Sequence, residues 1–264
     1  MTGFPDLFAP GAASALVLVA LRVGGLLLVA PMWSARTVPM RVRTAALVLF
    51  AVLLLPTALA SAPAGGVEIS PATFLGETLI GFAIGFAGAI VLAGAEAAGE
   101  LLTTSVGLSG ASILNPTEGG QTLVLAQFLR LVALTLLLSA GGHLIMLEAL
   151  ADTFRVLPLG GPLAMGDGMH ALAGMAITIF ASAVQFASPV LGAVMLTNVA
   201  LGVLSRAAPQ LNIFTVAFPL QIGIGLVVFA LTIGVIASAF ATWPTHFATA
   251  VDGTLGALAP AGGR

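Results

Sequence analysis

The chain has 264 residues, of which 59% are hydrophobic and 7% charged, with a formal net charge of −2 and no cysteine. An ordinary soluble domain carries about 25% charged residues, so this composition describes a polytopic membrane protein, and the length allows one integral domain. The missing cysteines exclude disulfides, thiolate metal sites and thiol catalysis, and the charge gives no electrostatic basis for binding nucleic acid.

A bilayer-spanning helix needs roughly 20 apolar residues. Six runs are candidates: 11–30, 44–60, 72–95, 123–147, 171–196 and 213–242. The expected fold is therefore all-α, with about six long, partly kinked apolar helices in hairpins. Residues 1–10 lack the basic start of a secretory signal and the first run contains Arg22, so this run is expected to be kept rather than cleaved. Pro189 and Pro219 lie inside runs and should bend them. After Trp243 the tail is Gly, Ala and Pro with little periodicity, and residues 243–264 are expected to be loose.

Orientation follows from arginine bias in the connections. With six spans, the first, third and fifth connections share one side and carry Arg36, Arg41, Arg43 and Arg206, against Arg155 and the terminal Arg264 on the other. This places both termini outside the cytoplasm. Glycine is abundant, at 32 residues, and the series Gly76-x4-Gly81-x3-Gly85-x2-Gly88 has the spacing that lets helix backbones approach closely. It serves either packing within this chain or packing against other membrane subunits.

Charges inside the runs need an explanation. Arg22 lies midway along the first span and Arg130 about two turns into the fourth. A charge at mid-bilayer costs at least ~3 kcal/mol on insertion scales. Each must pair with one of Glu77, Glu96 or Glu100, snorkel, or sit where there is no ordinary lipid. Glu96 and Glu100 are four apart and share a helix face, but nothing nearby supplies a nucleophile, a ligand set or a phosphate loop, so no catalysis and no cofactor are expected. Glu148, Asp152 and Arg155 share a face at the end of the fourth run and read as a surface ion network. His143, within the fourth run, reads as a hydrogen-bonded structural histidine ahead of a ligand or a proton relay, and His170 and His246 are too far apart in sequence to suggest a metal motif.

The stretch 99–122, GELLTTSVGLSGASILNPTEGGQT, lies between two long apolar runs. It is too broken for a clean membrane helix and too apolar for an aqueous loop. Non-helical backbone at membrane depth persists only where protein buries it or where it lines a watery cavity. It reads as a gate or constriction element.

Four stretches together carry a family resemblance: LRVGGLLLVAPMWSARTVPMRVRTAALVL (21–49), AGELLTTSVGLSGASILNPTEGGQT (98–122), GGHLIMLEALADTFRVLPLG (141–160) and LTNVALGVLSRAAPQLNIFTVAFPLQIGIGL (196–226). In these the chain resembles the FliR family of flagellar type III protein export, whose injectisome relatives form the SctT group. The Gly-Leu-Ser and Gly-Gln-Thr elements favour the flagellar branch. The resemblance covers nearly the whole chain except the first ten residues and the tail.

The resemblance implies a single integral membrane domain with FliP-like helices over 11–147, a gate loop at 99–122 and a FliQ-like helical hairpin over 171–242. It implies a non-enzymatic core component of the flagellar export gate, building and sealing the pore through which unfolded flagellar subunits are secreted. Proton motive force and a separate ATPase would supply the energy. The implied partners are FliP-like and FliQ-like export-gate subunits, an FlhB-like subunit at the cytoplasmic turn, the unfolded export substrates and the membrane. The implied location is the bacterial inner membrane, within the flagellar basal body. Gate residues would be Ser105, Gly107, Leu108, Gly110, Ile113, Leu114, Asn115 and Pro116. Arg22, Glu77, Glu96, Glu100 and Arg130 would be buried charges for helix packing, and Arg206, Pro209, Gln210 and Asn212 a partner-facing turn. Two positions depart from the flagellar pattern. Gly110 stands where Phe is usual, and Asn115 precedes Pro116 where Asp is usual, so Leu108, Ile113 and Leu114 would have to fill the pore. The alternative function is a small-solute transporter or channel subunit, which would need a midplane site and usually an internal helical repeat. The only repeat is faint, an Arg/Pro turn at 34–43 and again at 205–209.

Overall fold

The computed structural model describes residues 11–35, 38–63, 67, 69–108, 124–210 and 212–260. Among them are eight helices and no strand: α1 (Ala12–Val29), α2 (Met40–Ala60), α3 (Pro71–Ser105), α4 (Val124–Ser139), α5 (Gly142–Val156), α6 (Met165–Ala207), α7 (Ile213–Ala241) and α8 (Trp243–Leu258). The helices α1, α2, α3, α6 and α7 are each long and apolar enough to cross a membrane, and α4 with α5 would make a sixth, broken span. In lipid every backbone group needs an internal partner, and helices supply one. This is the architecture of a polytopic membrane protein.

Four expectations need correction. The run 123–147 is not one helix. It breaks at Gly141, whose φ of 73° places it in the left-handed region, which glycine enters without a Cβ clash. Helix α3 continues to Ser105, so residues 99–105 are helical and not part of a loop. Their hydroxyls do not break the helix because Thr103 donates to the Gly99 carbonyl at 2.7 Å and Thr104 to the Glu100 carbonyl at 3.0 Å. Helix α6 likewise runs past 196 to Ala207, with Thr197 donating back to the Ala193 carbonyl at 2.8 Å. Finally, residues 243–258 are not loose. They form α8, with Trp243, Phe247, Val251, Thr254, Leu255 and Leu258 buried. That stripe recurs every three or four positions, as a helix packed on one face requires.

The chain divides into two compact units. The first comprises 1–90, 141–176 and 243–264, and the second 91–140 and 177–242. Helices α3 and α6 each contribute one end to each unit.

In the first unit, α1 and α2 form a hairpin, and α1 lies against the first half of α3. Glycines permit that approach. A Cβ added at Gly81 would stand 1.7 Å from the Arg22 carbonyl oxygen, at Gly25 2.2 Å from the Thr78 oxygen, and at Gly85 2.7 Å from the Leu26 oxygen. Gly88 faces the Met146 sulfur and Gly76 the Leu163 side chain. The series beginning at Gly76 is thus occupied by this chain's own atoms. Helix α8 is anchored where the Ala164 amide donates to the Leu258 carbonyl at 2.9 Å.

The second unit has a core built from α3, α4, α6 and α7, including Ala98, Leu102, Leu129, Ala133, Ala187, Val190 and Ile236. Gly99 belongs to this packing, since a Cβ there would meet the Ala126 backbone at 2.3 Å. Phe128 and Phe229 meet edge to face at 6.0 Å. Pro189 and Pro219 sit inside α6 and α7, as Pro56 does inside α2.

Candidate functional site

The first unit is centred on Arg22, which is fully buried in α1. Its Nε donates to Glu77 Oε2 of α3 at 2.6 Å. Its two terminal nitrogens donate to Thr153 Oγ1 and to the Leu157 carbonyl, each at 3.0 Å. The guanidinium lies 4.4 Å from the centroid of the Phe154 ring. The second carboxylate oxygen of Glu77 accepts the Gly160 amide at 2.9 Å. One cation and one anion therefore bind α1, α3, α5 and the turn after α5 together. The close α1–α3 approach at Gly81 brings the two charged side chains within reach. Of the three acids weighed for Arg22, Glu77 is its partner. The sequence carried no signal for Thr153 and the Leu157 carbonyl, because they sit 131 and 135 residues away along the chain.

The second unit holds a looser pair. Arg130 of α4 reaches Glu96 of α3 at 3.3 Å, with the two side chains 43% and 39% exposed. Glu100, one turn on, is exposed and makes no ion pair among the described residues. Arg22 and Glu77 are buried charges, whereas Arg130, Glu96 and Glu100 belong to the surface of the unit. Of the expected network at Glu148, Asp152 and Arg155, the described ion pair is Asp152–Arg155, at 3.5 Å and exposed. The described residues contain no cluster of His, Asp and Glu that would hold a metal ion.

The candidate gate segment starts from a firmly closed helix end. Gly107 has φ 85°; its amide donates to the Thr104 carbonyl at 3.2 Å, and the Leu108 amide to the Thr103 carbonyl at 3.1 Å. This pair of bonds, with glycine in the left-handed region, is a Schellman motif. Ser105 is the last helical residue, and Leu108 is partly buried against the core of the second unit. Gly110, Ile113, Leu114, Asn115 and Pro116 lie outside the described residues. At the α6–α7 connection, Arg206 lies in the last turn of α6, and Pro209 and Gln210 form an exposed turn. The Asn212 carbonyl accepts from the Thr215 amide at 3.1 Å as α7 begins. Across that hairpin, Gln221 donates to Asn198.

A family model described as bacterial export proteins, family 1, matches residues 13–245. The chain belongs to that family. Among similar proteins, the flagellar biosynthetic protein FliR of Escherichia coli (strain K12) is 35% identical over 221 residues, covering 82% of this chain and 83% of that protein. The protein of the same name from Pectobacterium carotovorum subsp. carotovorum is 33% identical, covering 81% and 82%. That from Caulobacter vibrioides (strain ATCC 19089 / CIP 103742 / CB 15) is 28% identical over 242 residues, covering 89% and 93%. The export-family match reaches both units and takes in the Arg22 cluster, and it ends three residues into α8.

Removing one member of a buried ion pair leaves an uncompensated charge, at about 3–5 kcal/mol. Glu77→Gln should therefore sharply lower the thermal stability of the purified chain, while Arg130→Gln, at an exposed pair, should change it by about 1 kcal/mol or less. The double variant Arg22→Met/Glu77→Gln should be less destabilised than the sum of the single changes. Strict additivity in the melting series would show that the two side chains do not act as a pair.

Proposed function

We propose that this chain is a core membrane component of the flagellar protein-export apparatus. In this reading it builds and seals the pore for unfolded flagellar subunits in the inner membrane, within the flagellar basal body. The observation that carries the reading is the family match across residues 13–245, together with relatives named as flagellar biosynthetic proteins. A second feature supports assembly with other membrane subunits. The apolar windows of α6 and α7 are each only 28% buried, and Phe180, Leu196 and Leu231 are more than 70% exposed.

The chain then has FliP-like helices over 11–147 and a FliQ-like hairpin over 171–242, and it assembles with FliP-like and FliQ-like subunits. Its purification from native membranes should bring those subunits with it at a fixed ratio. Recovery only as a lone chain or a homo-oligomer would favour a solute transporter instead.

The exposed turn at Arg206, Pro209, Gln210 and Asn212 is the cytoplasmic, partner-facing end of the hairpin, where an FlhB-like subunit docks. In this cysteine-free chain, Ala207→Cys should react with an impermeant maleimide only from the cytoplasmic side. Labelling from the periplasm reverses the topology.

The segment that follows the closed end of α3 is the seal. Glycine frees its backbone, and apolar side chains such as Ile113 and Leu114 exclude water from a narrow pore, as hydrophobic constrictions do in channels. Deleting residues 110–116 should raise ion leakage in cells whose complex still assembles. An assembled complex with an unchanged membrane conductance removes the seal from this segment.

A further inference from the structure

We propose that a groove between α1, α2 and the start of α3 holds one acyl chain of an anionic phospholipid, with the phosphate at Arg43. The groove has a volume of about 450 Å³ and is apolar along most of its length, a size typical of ligand clefts. Its walls are Leu21, Leu28, Leu47 and Phe74, and Gly24 and Gly25 leave part of the α1 wall without side chains. It lies wholly within the first unit, on helices that qualify as membrane spans. Leu28 and Phe74 at its edges are 69% and 51% exposed, so the groove opens toward whatever surrounds those spans.

Arg43 is the one charged side chain lining it. A terminal nitrogen of Arg43 donates to the Ser34 and Ala35 carbonyls at 3.1 and 2.5 Å. These bonds hold the guanidinium at the α1–α2 connection. Its Nε is shut off from solvent and has no acceptor among the described residues. The guanidinium is thus fixed in place on the groove wall, where an anion can approach it through its terminal nitrogens. Among the described residues no acid pairs with Arg43. The first turn of α2 holds Arg41 and Arg43, no acid and no side-chain cap, and residues 31–67 contain no Asp or Glu. Cations in a first turn also oppose the helix dipole, which an anion there would relieve.

An apolar channel along a membrane helix, closed at one end by a cation, matches an amphiphile with an anionic head. A free phosphate would leave the apolar walls uncovered, and the phosphate of a zwitterionic lipid, already countered by its own choline, would answer Arg43 less well than that of an anionic lipid. The proposal rests only on α1, α2 and α3 crossing a membrane, so it stands or falls separately from the export reading.

The test uses the full chain in nanodiscs of phosphatidylcholine, with or without phosphatidylglycerol of the same acyl chains. Retained lipid is then read by native mass spectrometry. The intact chain should retain phosphatidylglycerol in preference to phosphatidylcholine. Arg43→Gln should weaken that preference about fivefold, the share of one cation beside an anionic surface, whereas Arg43→Lys should keep most of it. Gly24→Leu should fill the groove and release both lipids, since a Cβ there meets only Leu47 Cδ1, at 3.4 Å. Arg155→Gln, at an exposed arginine of the same unit, should change nothing. If Gly24→Leu fails to fold, the contrast between Arg43→Gln and Arg43→Lys decides alone. Equal retention of the two lipids overturns the proposal, as does indifference to Arg43→Gln. Displacement by inorganic phosphate as effective as by lipid would reduce the site to a simple anion site. In native membranes, photocrosslinks from Leu28→Cys carrying a benzophenone maleimide to another polypeptide, and not to lipid, would assign the groove to a protein partner.

Discussion

Everything in the first unit depends on placing one arginine where neither water nor lipid reaches it. A buried guanidinium is tolerated only when its charge is paired and its donors are taken up. Here Glu77, Thr153 and the Leu157 carbonyl supply the acceptors, and Phe154 covers one face. This requirement fixes more than a pair of residues. Thr153 and Leu157 come from the far end of α5, so α5 must return beside α1 and α3. The Gly160 amide closes the same carboxylate, which ties down the turn that leads into α6. A purely apolar core of the same volume would bring equal burial but would not dictate which helix comes back, or in what register.

Glycine makes the cluster reachable. Helices whose backbones nearly touch shorten the distance their side chains must bridge, and Gly25, Gly81 and Gly85 let α1 and α3 do so. The same device acts in the second unit at Gly99 and Ala126, but there the charges it brings near, Arg130 and Glu96, are partly exposed and meet at a longer distance. Similar packing therefore yields a structural lock in one unit and a surface pair in the other. The difference is burial, not residue type.

Much of this was legible from sequence, and the failures are specific. The apolar runs gave the membrane class and the positions of α1, α2, α3 and α7. Arg22 announced that it needed a partner, and only three acids were within plausible reach. What misled was composition read as punctuation. Gly99 and the hydroxyls at Thr103 and Thr104 look like helix breakers, yet the glycine serves a helix contact and the hydroxyls bond back to their own helix. The Gly- and Ala-rich tail hid the stripe from Trp243 to Leu258. Gly141 hid inside an apolar run, and its left-handed φ is set by the turn, not by its neighbours in sequence. The acceptors for Arg22 on α5 could not have been named at all, because only the fold makes them neighbours.

The helix end at Gly107 carries a consequence for how this protein diverges. The Thr103 and Thr104 carbonyls are satisfied by the amides of Gly107 and Leu108, so the terminus of α3 asks nothing of residues further along. Insertions, deletions and substitutions beyond Leu108 leave those bonds intact. A helix that closes on its own backbone ends in the same place whatever follows it, and related chains should keep a glycine at position 107, where a left-handed φ would strain a side chain.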